Sequence, residues 1–315
     1  MQFRQRFYSV SEYYKEFFGQ KIYKIALDAG CTCPNRDGSK GWGGCIFCSP
    51  SGSGDFAASR NLSVLEQIEQ AKAMVQKKKP FAGMKYIAYF QNFSNTYGNS
   101  IELEKKYLEA LSAKDVVGLS IATRPDCLND DILNRISQIA KKLQKEKKHI
   151  SIELGLQTAR KDIADYLNLG FYPSDYVNAV KKIKESSEYI HIVTHIIFGL
   201  PNESAEDMLN TVRFAVKAGT HGIKISLLHI LSGTKLEKEF LQNKFSCLSL
   251  DDYLSLLGNA ISILPKNIVV HRLTGDGAKS ILIAPLWTAN KKLVHNAIHK
   301  YLEDKNIYQG DLYLS

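Results

Sequence analysis

The cysteines are the residues of this sequence best suited to chemistry, because four of the six lie within 18 residues. They are Cys31, Cys33, Cys45 and Cys48. The Cys45-x-x-Cys48 pair lets two thiolates bind one metal centre, and Gly43-Gly44 lets the backbone fold tightly beside them. A third thiolate, from Cys33 or Cys31, would complete a three-point attachment.

Two simpler roles fit this cysteine loop less well. A structural zinc site prefers four ligands, commonly supplied by two Cys-x-x-Cys pairs, whereas the first pair here is Cys31-x-Cys33. A thioredoxin-like redox pair would use only Cys45 and Cys48 and would leave the other cysteines and the glycines without a purpose. Three thiolates on a four-iron cluster leave one iron open for an exogenous ligand. We therefore favour an iron–sulfur cluster over zinc.

The elements that must position these cysteines alternate between short apolar strands and amphipathic helices. Strands are predicted at 23–27, 85–90, 116–121, 149–154, 190–197 and 222–230. Helices are predicted at 64–79, 102–111, 129–143, 174–184 and 205–218, with Asn129 and Ser174 as N-caps. This alternation is typical of right-handed βαβ units and a parallel sheet, so the fold class is α/β.

Parallel sheets carry their chemistry in the loops that follow the strands. The first of these loops holds the cysteines, and the other five are polar or contain glycine, at 91–97, 123–127, 155–158, 199–203 and 232–234. Beyond residue 240 the alternation gives way to a helix at 250–264 capped by Ser249, a strand and turn at 268–277, and a helix at 293–302. We expect a barrel core at 1–240 and an extension at 241–315 packed on it.

Composition restricts the class of protein. With 315 residues, 44% hydrophobic and 23% charged, the chain is not collagen-like, low-complexity or disordered. The apolar run at 190–200 is interrupted by two histidines and is too short to span a membrane, and the N-terminus has no signal-peptide core. We expect a cytoplasmic protein without membrane association. The net charge of +9 favours a polyanionic partner such as nucleic acid.

Motifs spread over nearly the whole chain resemble one family, the radical S-adenosylmethionine (SAM) proteins typified by bacterial YtqA and YhcC, which are relatives of the elongator catalytic subunit. The motifs lie at 33–38, 43–48, 53–56, 89–97, 122–126, 153–158, 197–201, 224–229 and 271–277. The resemblance implies a partial (β/α)6 TIM-type barrel with a C-terminal α/β extension, a [4Fe-4S] cluster and SAM. It implies that Cys33, Cys45 and Cys48 hold the cluster and that Cys31 is a spectator.

The resemblance also implies a set of residues that contact SAM, namely Phe47, Gln91, Asn92, Arg124, Glu153, Gln157 and Gly199. Phe47 and Gly199 would lie on the adenine side, and the loop at 91–95 would hold the methionine amine. Glu153 and Gln157 would bind the ribose and methionine groups. We expect Arg124 to meet a carboxylate of SAM or substrate through its bidentate fork, and Arg124 and Glu153 are the candidate catalytic residues.

Three further candidates lie on the predicted substrate side, His271, Arg272 and Asp276. His195 sits in an apolar strand, where it is either a satisfied core residue or a site residue, and the sequence leaves both open.

Around residues 51–56 the sequence is more similar to the YtqA branch than to YhcC. That similarity implies tRNA as a partner and conversion of 5-carboxymethylaminomethyluridine at the wobble position (U34) to 5-aminomethyluridine. It also implies a flavodoxin- or ferredoxin-type electron donor. Two alternatives remain open: a radical SAM enzyme acting on a small molecule or peptide, and a non-catalytic iron–sulfur protein that binds RNA.

Overall fold

The computed structural model of the chain describes residues 6–49, 52, 58–78, 83–275, 277 and 279–313. The motif at 53–56, Lys79 and the substrate-side candidate Asp276 therefore lie outside the described residues.

The described residues form strands and helices in regular alternation through most of the chain. The strands are β1 (Ile22–Leu27), β2 (Lys85–Phe90), β3 (Val116–Thr123), β4 (His149–Gln157), β5 (His191–Phe198), β6 (Gly222–Leu227), β7 (Ile230–Leu231), β8 (Val269–Arg272) and β9 (Leu282–Ala284). The helices are α1 (Val10–Phe18), α2 (Val64–Lys78), α3 (Ser100–Ser112), α4 (Asp130–Lys145), α5 (Lys161–Tyr166), α6 (Pro173–Ser186), α7 (Ala205–Ala218), α8 (Lys235–Leu241), α9 (Leu250–Ile263) and α10 (Lys291–Asp304).

Seven strands make one parallel sheet in the order β1-β2-β3-β4-β5-β6-β8, and β7 pairs with β9 in a separate antiparallel ladder. The sheet curls on itself. Lys24 on β1 and Lys224 on β6 both bond to the carboxylate of Glu153 on β4. In a flat sheet β1 and β6 would stand roughly 24 Å apart, at about 4.8 Å per strand. The predicted α/β fold with a partial TIM-type barrel is confirmed.

Two features of the prediction are corrected. The predicted strand at 222–230 ends at Leu227, because the chain turns at His229 and Ile230 pairs with Ala284 of β9. The predicted cap Ser174 lies inside α6, which begins one residue earlier at Pro173. Proline is well suited to the first helical position, because its fixed φ is helical and it has no N–H to leave unbonded.

The segment beyond residue 240 is built into the barrel. Strand β8 extends the main sheet beside β6, and the N–H of Val270 donates to the carbonyl of Tyr8 at 2.8 Å, just before α1. Helix α1 therefore lies across the amino-terminal end of the barrel. The boundary at residue 240 itself stays a prediction. Within the described residues, no helix has both the length and the apolar character to cross a membrane.

Candidate active site

A cavity of about 470 Å³ opens at the carboxyl end of the parallel sheet. It is lined by the cysteine loop on one side and by residues of β2 to β6 and β8 on the others. Of the residues proposed from sequence, it brings together Cys33, Cys45, Cys48, Phe47, Gln91, Arg124, Glu153, Gln157, His195 and Arg272. Four of the six loops predicted to share a site contribute to the lining, namely the cysteine loop and those at 91–97, 123–127 and 155–158, whereas the loops at 199–203 and 232–234 contribute no lining residue.

The cysteine loop is fixed by backbone hydrogen bonds to the segment that follows α5. The N–H of Ile46 donates to the carbonyl of Leu167 at 3.1 Å, and the side-chain amide of Asn168 donates to the carbonyl of Gly44 at 2.9 Å. Gly44 has a φ of 73°, in the left-handed region that a side chain would strain. The turn between Cys45 and Cys48 closes with a 3.0 Å bond from the Cys48 N–H to the Cys45 carbonyl.

The electrostatics of the loop favour a thiolate at Cys48. A hydrogen bond from Cys45, together with the nearby Arg36 guanidinium, lowers the pKa of Cys48 against the effect of burial. The same hydrogen bond, with burial, raises the pKa of Cys45 well above its usual value. Metal ligation requires the thiolate form, so this pair supplies one such ligand readily.

Cys31 is set apart from the other three cysteines. Its side chain packs in the main hydrophobic core, at 7% exposure, and does not line the cavity. Burial raises the pKa of its thiol to about 11. Three cysteines at one cavity, with the fourth turned away, fit a four-iron cluster held at three corners. Within the described part of the chain, no three His, Cys, Asp or Glu side chains converge as ligands of a single metal ion.

Arg124 has its bidentate fork already engaged inside the chain. Its Nε and Nη2 donate to the two carboxylate oxygens of Asp126, both at 2.9 Å, and Nη1 donates to the carbonyl of Leu169 at 2.7 Å. The same Nη1 lies 3.8 Å from the sulfur of Cys33. The fork therefore meets the carboxylate of Asp126, and Nη1, which donates to Leu169, also lies beside the cysteine.

Glu153 is buried and saturated with hydrogen bonds. One oxygen accepts from Lys24 and from the hydroxyl of Ser120, and the other accepts from Lys224 and lies 2.8 Å from Nε2 of His195. Burial alone would raise the pKa of Glu153, but Lys224 and Lys24 hold it well below its usual range. His195 accordingly belongs to the site. Its pKa is lowered to about 4, mainly by burial and by Lys224, so it is neutral near pH 7.

The remaining predicted SAM contacts are divided between the cavity wall and its surroundings. Phe47, Gln91 and Gln157 line the cavity. Asn92 does not, because its amide group donates to Asp28 at 2.6 Å. Gly199, with a φ of 84°, also lies outside the lining, and its N–H donates to the sulfur of Met208 at 3.0 Å.

Sequence reasoning missed three residues inside the barrel. Lys24 and Lys224 bond to Glu153, and Tyr89 contacts Lys224. The ammonium of Lys224 lies 3.1 Å from the Tyr89 hydroxyl and 4.5 Å from the centre of its ring. A signal was available, because each lysine interrupts an apolar strand at an inward-facing position, as Glu153 does.

Comparison with known proteins identifies the family. The profile of the radical SAM superfamily matches residues 33–215, and that of the Radical_SAM C-terminal domain matches residues 220–304. The chain belongs to the radical SAM superfamily. The cofactors of radical SAM enzymes are a [4Fe-4S] cluster and SAM, and this chain shares them.

Relatives cover the radical SAM chain almost completely. Protein YtqA of Bacillus subtilis, which is uncharacterised, is 40% identical over 98% of this chain and 93% of its own length. Protein YhcC of Escherichia coli is 31% identical over 92% of this chain and 90% of its own. These identities confirm the resemblance to the YtqA and YhcC family.

Two further similarities are more distant. A tRNA-2-methylthio-N(6)-dimethylallyladenosine synthase of Clostridium perfringens is 26% identical over 56% of this chain and 37% of its own length. Among solved structures, the archaeal Elp3 of Methanocaldococcus infernus superposes with a TM-score of 0.67 at 16% identity, over 91% of this chain. The chain spans 64% of that structure, and the likeness shows a shared fold.

Proposed function

We propose that this radical SAM enzyme modifies tRNA at the wobble uridine (U34), converting 5-carboxymethylaminomethyluridine to 5-aminomethyluridine. The observation that carries the proposal is the cavity, whose lining, counted over the described residues, contains the three cysteines and more basic than acidic side chains. The proposed substrate nucleoside carries a carboxylate and is part of tRNA, which is a polyanion, so a basic cavity suits it.

Held by Cys33, Cys45 and Cys48, the cluster with its bound SAM would supply the radical chemistry that removes hydrogen from the carboxymethyl carbon, and SAM would be the two-electron oxidant, reduced to methionine and 5′-deoxyadenosine. The substrate loses two electrons and two protons to give an imine. Water hydrolyses the imine, so atom balance requires glyoxylate as the second product beside the aminomethyl group.

The residues of the chain have separate tasks in this reaction. Cys33, Cys45 and Cys48 hold the cluster, and Arg124, fixed by Asp126, places its Nη1 beside Cys33. Phe47 and Gln91 line the wall on which we place SAM. The interior of the partial barrel limits the access of bulk water to a reactive radical.

The mouth of the cavity suits an RNA. Lys291, at the start of α10, lines the cavity and also a neighbouring surface depression, which Lys279, Lys292, Trp287 and Leu293 share. Basic side chains beside apolar ones can neutralise phosphates and contact bases. The tRNA named for the Clostridium relative adds support at the level of substrate class. We place the reaction in the cytoplasm, with a flavodoxin- or ferredoxin-type protein as the electron donor.

A nucleoside profile of cellular tRNA tests the proposal. A strain lacking the gene should accumulate 5-carboxymethylaminomethyluridine, and the wild-type gene should reverse this. Cys45→Ala should fail to complement, because it removes a cluster ligand. Cys31→Ala is the matched control from the same loop and should complement, since Cys31 does not line the cavity. An unchanged profile in the deletion strain would contradict the proposed substrate.

A further inference from the structure

The barrel interior holds a histidine between a buried carboxylate and the cavity. His195 on β5 lines the cavity, and its side chain is 25% exposed. Its Nε2 lies 2.8 Å from Oε2 of Glu153, whose side chain is fully buried. One ring nitrogen is therefore engaged inside the barrel, and the other is left for the cavity.

The state of Glu153 decides which nitrogen of His195 carries the proton. Against the effect of burial, Lys224 and Lys24 hold the pKa of Glu153 well below its usual range, so its ionised oxygens only accept hydrogen bonds. Nε2 of His195 is then the donor. Burial and Lys224 lower the pKa of His195 to about 4, so near pH 7 the neutral ring has this one proton. Nδ1 keeps its lone pair and can only accept.

Nδ1 of His195 is an acceptor without a donor in the described part of the chain. The side chain of His195 makes its hydrogen bond to Glu153 and no other with the described residues. Nδ1 of His149 and Nδ1 of His271 also have no partner there, but both are sealed from solvent. Nδ1 of His195 is not sealed in this way, and its residue lines the cavity. It is therefore available to a ligand that carries an N–H or O–H group.

The sheet register places His195 across the cavity from the cysteines. The ladders that join β3 to β4 and β4 to β5 put Arg124, Gly155 and His195 at the same level. Arg124 lies beside Cys33, two strands away from His195. At about 4.8 Å per strand, roughly 10 Å of sheet separates the two positions. A group bound to His195 would leave room between itself and the cysteines for SAM and the reacting carbon.

We infer that Nδ1 of His195 accepts a hydrogen bond from the amine N–H of the substrate and so holds the adjoining carboxymethyl carbon toward the cysteines. The inference rests on the proposed function and deepens it, since it assigns the nitrogen beside the reacting carbon to a named residue. The amine has an N–H in both its neutral and its protonated form. His195 then determines specificity, because an analogue without this N–H leaves Nδ1 without a donor.

Binding of paired probes tests the inference without turnover. The probes are synthetic anticodon stem-loops that carry either carboxymethylaminomethyluridine or the ether in which oxygen replaces the N–H group, added to the cluster-loaded, unreduced protein with SAM. The wild type should bind the amine at least about tenfold more tightly than the ether. His195→Leu should bring the two affinities together, while SAM affinity stays at the wild-type value. His295→Leu, an exposed change on α10, is the matched control and should keep the preference.

A third probe keeps the test decisive if His195→Leu does not fold. In this stem-loop a methylene group replaces the N–H group, so the probe has neither a donor nor an acceptor at that position. The wild type should bind the ether no more tightly than the methylene analogue, because the ether oxygen and Nδ1 are both acceptors. Tighter binding of the ether would show that the protein presents a donor there and would overturn the inference.

The other outcomes are equally decisive. Equal affinities of the wild type for amine and ether, or an undiminished preference in folded His195→Leu, would overturn the inference. Loss of SAM binding in His195→Leu would also overturn it, by assigning Nδ1 to SAM.

Turnover separates this inference from the proposed function. A preference for the amine in the wild type, with no aminomethyl product after reduction, would keep the role of His195 and reject the reaction. Product formation without any preference would keep the reaction and reject the role of His195. Failure of all three stem-loops to bind would overturn both.

Discussion

At the residue scale, Glu153 connects the strands of the barrel interior, because its buried carboxylate bonds to side chains of β1, β3, β5 and β6. A carboxylate in an apolar strand requires partners, so its involvement in the site was predictable. Its partners were not, because Ser120 and His195 come from the flanking strands, while Lys24 on β1 and Lys224 on β6 reach it only when the sheet curls. The cysteines were easier to assign, since their spacing is local.

Glu153→Gln should destabilise the protein strongly. The change leaves the ammonium groups of Lys24 and Lys224 close together without an anion, and breaking one partner of a buried ion pair costs about 3 kcal/mol or more. Urea unfolding monitored by circular dichroism measures the loss. Glu206→Gln, which removes an exposed partner of Arg213, should cost less than about 1 kcal/mol. Equal losses for the two variants would contradict a role for Glu153 in holding the barrel together.

At the scale of elements, the strands of the main sheet and most helices followed from periodicity, whereas β7 and β9 did not, and the sequence did not show where α1 and β8 pack. Helix α1 is amphipathic and begins with a capping box at Ser9, a local signal that was available. What it covers depends on tertiary structure. Tyr13 lies 3.1 Å from Nε2 of His149, at the amino-terminal end of β4, and stacks on His191. Strand β8 completes the same surface with His271.

The contact between α1 and β4 predicts a pH dependence of stability. Burial lowers the pKa of His149 to about 3, whereas an unfolded histidine titrates near about 6.5. A histidine held neutral in the fold has no effect on stability above the unfolded pKa, but it destabilises the fold as the pH falls below that value, because the unfolded chain then binds a proton that the fold excludes. Between about pH 7 and about pH 5 the loss for one such histidine is about 2 kcal/mol.

His149→Gln should therefore be less stable than the wild type at pH 7 but should lose less stability on acidification, by about 2 kcal/mol over that range. The free energy of unfolding in urea, measured at several pH values for both proteins, gives the comparison. Parallel pH profiles for the two would show that His149 is not held neutral under α1.

At the scale of the whole molecule, the net charge follows from the sequence alone, whereas the position of the charged side chains depends on the fold. The net charge of +9 is a property of the sequence, but it does not tell which face carries the excess. The structure places Lys291 at the cavity and Lys292 in the neighbouring depression. Both lie at the start of α10, which begins two residues before the helix that periodicity predicted. The position of these two lysines depends on how the C-terminal segment packs on the barrel, and no local sequence pattern determines that packing.

Binding of tRNA should be steeply salt dependent, and the mouth should carry part of that dependence. Replacing both Lys291 and Lys292 by Gln should reduce the slope of log affinity against log salt by about two units, one for each lost phosphate contact. Filter binding over a range of salt concentrations measures the slope. Lys141→Gln with Lys145→Gln, on α4, is the matched control and should leave it unchanged. An unaltered slope in the mouth variant would place the RNA elsewhere.

The central claim is tested most directly by a single-turnover reaction with purified components. Cluster-loaded protein is reduced anaerobically and given SAM and tRNA from a strain that lacks the gene, and the products are measured by mass spectrometry. We expect 5′-deoxyadenosine, 5-aminomethyluridine and glyoxylate in equal amounts. Formation of 5′-deoxyadenosine with no loss of 5-carboxymethylaminomethyluridine would contradict the account.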